Sequence, residues 1–194
     1  MSPTVQKPLH PDRNKVLYTA FIVVAIAIAV AVALQSRVPR VMTAMIKPAS
    51  LKVGEPAPSF TLRTNDGPFE LAQVDTPVLL ELFATWSREC QAETRLLNRL
   101  AAEYRGKLTI VAVSAERFDS KHKGPGTQAD VDAFAQRYNV QYPVVFDPDL
   151  AVAKLYMMQG FPTLTFITRD KKISQRLQGQ ITYEQLDREA QQML

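Results

Sequence analysis

A short polar stretch, Thr85-Trp86-Ser87-Arg88-Glu89-Cys90, follows the apolar run Pro77–Ala84 and gathers the most reactive side-chain types of this 194-residue chain. Cys90 is the only cysteine, and the two histidines are His10 and His122. One sulfur excludes an intramolecular disulfide, and a Cys/His metal cluster lacks ligands, so no metal or cofactor is expected. Ser87 has no histidine base near it in sequence and is not an activated nucleophile; serine is a preferred helix N-cap, and that is its simpler role. Cys90, three residues into the helix that Ser87 would open, faces the interior, where a lone thiol behaves as a small hydrophobe with a raised pKa. Two readings of Cys90 stand: a structural core thiol, or a slow monothiol. Glu81 is the anomaly in the apolar run, and an outward-facing residue at a strand edge is its plain reading.

The elements that must position these residues are legible from periodicity. Pro77–Ala84 reads as a central strand buried on both faces. Residues 88–104 place Leu96, Leu97, Leu100 and Tyr104 on one helical stripe. Leu108–Val113 is a second buried strand, so strand, helix and strand form a right-handed parallel crossover. Thr127-x-x-Asp130 predicts a capped helix with Val131, Phe134, Ala135 and Tyr138 on one face. Pro143–Phe146 is a short strand, with Asp147 as N-cap and Pro148 as first residue of a helix through Tyr156. Thr163–Ile167 and Lys172–Leu177 form an antiparallel hairpin, and Thr182-x-x-Gln185 caps a last helix. Ser59–Leu62 and the turn Asn65-Asp66-Gly67 predict a pair of short strands at the front. The polar segment 116–126 is a surface loop, with His122 solvated in it.

With Val53-Gly54-Glu55-Pro56-Ala57-Pro58-Ser59-Phe60-Thr61-Leu62, the junction Ala84–Glu93 and Gly160-Phe161-Pro162-Thr163, residues 51–190 resemble the membrane-anchored TlpA/ResA-type thiol:disulfide oxidoreductases of the thioredoxin-like redoxin superfamily. The resemblance implies an α/β, thioredoxin-like fold: a central mixed β-sheet flanked by helices, with an N-terminal β-hairpin extension. In that family the junction reads Cys-x-x-Cys-x-x-Glu. Ser87 then stands where the nucleophilic cysteine belongs and Cys90 where the resolving one does, so the dithiol cycle cannot run within this chain. Glu81 matches a buried acid that accepts the resolving thiol's proton, which makes Cys90 and Glu81 the candidate catalytic residues of a degenerate site. Pro162 matches the family's cis-proline, and Trp86, Ser87, Arg88, Phe161, Pro162 and Thr163 outline a candidate peptide-binding groove; a purely structural turn is the other reading of Pro162. Arg88 and Glu89 either place two charges over this contact patch or form a solvated pair in the first helical turn. The Thr-x-x-Cys pattern of peroxiredoxins is absent.

The formal charge of +4 divides unevenly: residues 1–50 carry +5 and residues 51–194 carry −1. The basic balance belongs to the N-terminal arm, and no footprint for nucleic acid remains. Residues 16–34 contain no charge and no proline between Lys15 and Arg37. As a helix they would span roughly 28 Å, enough to cross a bilayer. An uncleaved anchor is the expectation and a signal peptide cleaved at Ala31-Val32-Ala33 the alternative. Charge alone leaves the topology open; the resemblance implies an extracytoplasmic, periplasmic domain. The chain then divides into an N-terminal tail (1–15), one transmembrane helix contacting the lipid bilayer (16–34), a juxtamembrane linker (35–50) and the thioredoxin-like domain (51–194). The expected role is binding, chaperoning or scaffolding of a protein partner, whether membrane protein, cytochrome or larger complex. The rival is a monothiol oxidoreductase or weak peroxidase using Cys90.

Overall fold

The computed structural model describes residues 51–64, 67–118, 124 and 126–194. The arm 1–50, with the expected membrane helix 16–34, and also Asn65, Asp66 and His122 lie outside the described residues. Among the described residues no helix is long and apolar enough to cross a membrane.

The expected central strand forms β3 (Val78–Phe83), all six residues of which are at most 1% exposed. Such burial requires neighbours on both edges and cover on both faces. On its edges β3 pairs in parallel with β4 (Thr109–Ser114) and antiparallel with β6 (Thr163–Ile167). With β5 (Val144–Phe146) and β7 (Ile173–Gln178) the sheet is mixed, in the order β5-β4-β3-β6-β7. The period of two then divides the strand between two cores. Leu80 and Leu82 pack with Val113, Ile167, Phe60 and Tyr156 on one face. Leu79 lies on the other face with Leu97 and Leu100 of α1 (Arg88–Glu103) and Leu186 and Ala190 of α4 (Tyr183–Gln191). Glu81 shares the parity of Leu79 and Phe83 and is therefore carried beneath α1. The outward, strand-edge alternative for Glu81 is overturned, because β3 is not an edge.

The front hairpin is β1 (Thr61–Thr64) against β2 (Gly67–Glu70), a separate two-stranded sheet. Capping boxes open α2 (Gln128–Arg137) at Thr127/Asp130 and α4 at Thr182/Gln185, as the spacing predicts. The helix after β5 departs from expectation: only α3 (Ala151–Leu155) forms, and Leu150 occupies the N-cap position at φ +54°. Asp147 is not the N-cap. Its buried carboxylate reaches forward to accept from the N–H groups of Ala151, Val152 and Ala153 at 2.8, 2.8 and 3.1 Å. One anion satisfies the three donors that open the helix, so helical geometry starts where that anion can reach, not at Pro148.

Asp147→Ala should leave those three N–H groups without their acceptor and cost about 2–3 kcal/mol, read as a lower urea midpoint, with Asp147→Asn retaining part of the loss. Equal midpoints for the alanine variant and the parent would show that the carboxylate does not hold α3.

Candidate functional site

The polypeptide leaves β3 at Phe83 and enters α1 at Arg88 within four residues, and the hydrogen bonds of that passage build the site. Ser87 is the N-cap: its Oγ accepts from the Cys90 N–H at 3.2 Å and donates to Glu89 Oε2 at 3.1 Å. Thr85 is held from two sides. Its N–H and hydroxyl donate to the Glu116 carboxylate at 2.9–3.0 Å, and its carbonyl accepts from Gln91 Nε2 at 2.8 Å. Glu116 is itself buried, and burial raises its carboxyl while the Thr85 hydrogen bonds oppose the rise. Gly126 packs so closely on it that a Cβ there would meet Glu116 Cγ at 2.9 Å, which explains the glycine.

Between these anchors Trp86 is turned outward, 37% exposed, and meets the Phe161 ring edge-to-face with centroids 5.7 Å apart. The Phe161–Pro162 bond is cis. Arg88 is exposed at the first helical position. Trp86 and Phe161 thus come together, while the Ser87 side chain is buried at the helix cap. Thr163 does not join them through its side chain: it is buried and donates to the Gly160 carbonyl at 2.7 Å.

Cys90 turns the opposite way. It is fully buried against Phe83, Ala112, Val131 and Phe134. Burial pushes its thiol up to about 12, Glu81 adds to the rise, and a hydrogen bond from the Ser87 side chain only partly offsets both. Glu81 lies below it with Oε1 unpartnered, raised well above the carboxylate range by burial and then by the nearby Glu93. Glu93, one helical turn after Cys90, is buried with both oxygens unpartnered, and burial raises it to about 8. Tyr142, hydrogen-bonded to Thr94, closes the cluster and is raised by the same burial. Chemically this is a protonated pocket: a thiol beside two carboxyls whose neutral forms are favoured, with no group of metal-binding composition among the described residues. Glu93, Glu116 and Tyr142 were not singled out from the sequence. Glu93 shares a helical face with Leu97 and Leu100, so its burial was legible in that spacing; Glu116 and Tyr142 gave no local signal.

Residues 53–176 match the model of the AhpC/TSA family. Over 143 residues the chain is 32% identical to the thiol-disulfide oxidoreductase ResA of Oceanobacillus iheyensis, covering 70% of each protein. Over 144 residues it is 31% identical to the thioredoxin-like protein YneN of Bacillus subtilis, covering 73% of this chain and 80% of that one. A crystal structure from Chlorobium tepidum, described as a thiol:disulfide interchange protein DsbE, matches with a TM-score of 0.65 at 26% identity, over 74% of this chain and 99% of that one. The fold is thioredoxin-like; by name the relatives are a thiol-disulfide oxidoreductase, a thioredoxin-like protein and a thiol:disulfide interchange protein.

Two outcomes follow from the pocket. Iodoacetamide should label Cys90 of the folded protein at pH 7.5 on the order of a thousandfold more slowly than after denaturation, since both thiolate fraction and access are suppressed; comparable rates would contradict the burial. Glu93 titrates near about 4 in an unfolded chain but at about 8 here. The folded state therefore keeps a proton that the unfolded state sheds across that window. Stability is full below pH ~4 and falls as the pH rises to 8. The urea-unfolding free energy should drop by roughly 2–4 kcal/mol between pH 5 and pH 8, and Glu93→Gln should remove a large part of that drop. An unchanged pH dependence in Glu93→Gln would refute the assignment.

Proposed function

We propose that this chain, which belongs to the AhpC/TSA family, is a single-pass, membrane-anchored thioredoxin-like protein that binds or scaffolds an extracytoplasmic or membrane partner without turning over disulfides. The observation that carries the reading is the state of its one sulfur. Exchange requires a thiolate to attack a disulfide and a second thiol to release the mixed disulfide formed. Cys90 is buried and held as a thiol, and the N-terminus of α1 carries the Ser87 hydroxyl, itself buried and serving as the cap. A mixed disulfide on Cys90 would find no resolving thiol in the chain, so the monothiol reading requires an external thiol to regenerate Cys90 and an accessible sulfur for it to attack.

What remains usable is the binding frame around the missing couple: Trp86 against Phe161, the cis Phe161–Pro162 bond, and Arg88, exposed at the first residue of α1. The uncharged segment 16–34 supports a membrane anchor, and the resemblance to ResA-type proteins supports an extracytoplasmic domain, with a membrane protein or a cytochrome as the partner class.

Insulin reduction with dithiothreitol separates the possibilities. The native chain should run at the dithiothreitol background, within about 1% of the rate of a Cys-x-x-Cys thioredoxin assayed beside it. Ser87→Cys puts a second sulfur at the helix N-terminus, where thiolates are stabilised, against the position that already hydrogen-bonds Cys90. That variant should raise the rate at least about tenfold. Thioredoxin-like turnover by the native chain would overturn the reading.

A further inference from the structure

Five large apolar side chains stand exposed among the described residues, and three of them, Trp86, Phe118 and Met157, border one groove of about 400 Å3. Phe161 and Met158 complete its apolar lining. The groove is walled by the segment after β4 and by α3, and Met157 at the end of α3 is held at φ +45°, a conformation a non-glycine residue adopts at a cost. Its side chain is 59% exposed at the lip of the groove.

The charge around this lip is one-sided. Arg117 and Lys154 stand at the rim, both exposed. The carboxylate that lines the groove, Glu116, is occupied by Thr85. Met157 also borders a second pocket of about 230 Å3, shared with Gln159, Thr163, Arg176 and Gln178. There the Arg176 Nη2 donates to the Tyr156 carbonyl at 2.8 Å, whereas Nε is buried without a partner. Among the described residues none of Arg117, Lys154 and Arg176 is in an ion pair.

We propose that the two pockets form one recognition site for an extended segment of the partner polypeptide: a large apolar side chain enters the Trp86 groove, and an acidic side chain two residues away meets Arg176. The proposal rests on the reading of this chain as a partner-binding protein and names what it binds. In an extended chain residues i and i+2 project from the same face, so two pockets separated by one side chain match that period. The cations supply the selectivity: a carboxylate in the second pocket meets the Arg176 guanidinium, which has no ion-pair partner among the described residues, whereas a lysine in its place meets a like charge.

Trp86 is the only tryptophan, so its emission reports on the groove directly. The test uses the full chain in lipid nanodiscs with a tryptophan-free scaffold, titrated with the peptides GSGFSEGSG, GSGFSKGSG and GSGASEGSG. The first should shift Trp86 emission saturably, with a Kd at least about tenfold below those of the other two. Arg176→Gln should collapse the preference for glutamate over lysine, and Arg176→Lys should retain most of it. If Arg176→Gln fails to fold, the double variant Arg117→Gln/Lys154→Gln, confined to exposed positions, should reduce the same preference. Equal affinity for the glutamate and lysine peptides, or no saturable shift, overturns the proposal. So does an emission shift that grows with protein concentration alone, which would assign the groove to a second copy of this chain. The titration involves no thiol chemistry: a chain that reduces insulin yet prefers the glutamate peptide keeps this site and loses the non-catalytic reading.

Discussion

A strand buried on both faces must give way to a helix between Phe83 and Arg88, and every backbone polar group in that passage needs a partner. The chain meets the requirement with three side chains. Glu116, just after β4, takes the Thr85 N–H, Gln91 of α1 gives to the Thr85 carbonyl, and the hydroxyl of Ser87, the cap of α1, takes the Cys90 N–H. These bonds leave Trp86 no room inside and leave Cys90 no route out. The exposed aromatic and the concealed thiol are therefore two results of one constraint, and the helix, the groove and the buried pocket all take their positions from it.

Beneath that passage the chain keeps two carboxyls that a core of this quality would reject as anions. Orphaned buried oxygens at Glu81 and Glu93 are costly whichever state they hold, and burial favours the neutral one. The consequence for Cys90 is that a neutral carboxyl cannot accept its proton, while burial and the charges of Glu81 and Glu93 all push the thiol upward.

Much of this was legible in the sequence where the signal is local. Ser87 as a cap, the boxes at Thr127 and Thr182, and the buried run at Val78–Phe83 depend on spacings of two to four residues. The burial of Glu81 followed once the run was central, since parity then dictates its face. The expected helix at Asp149 failed because Asp147 caps at a distance, around a left-handed Leu150 that nothing in the sequence requires. The groove escaped notice for a topological reason. Phe118 follows β4 and Met157 follows α3, about forty residues apart, and the parallel crossover alone brings them to one rim. Glu116 is the same case: its partner Thr85 is thirty-one positions away.

The cap at Ser87 carries one last implication. In a domain whose helix begins at a cysteine pair, the oxidation state of that pair belongs to the fold, and the local geometry differs between the oxidised and reduced forms. Here an oxygen caps α1, and the chain's one thiol is sealed under it. The group that caps α1 is therefore the same in oxidising and in reducing surroundings.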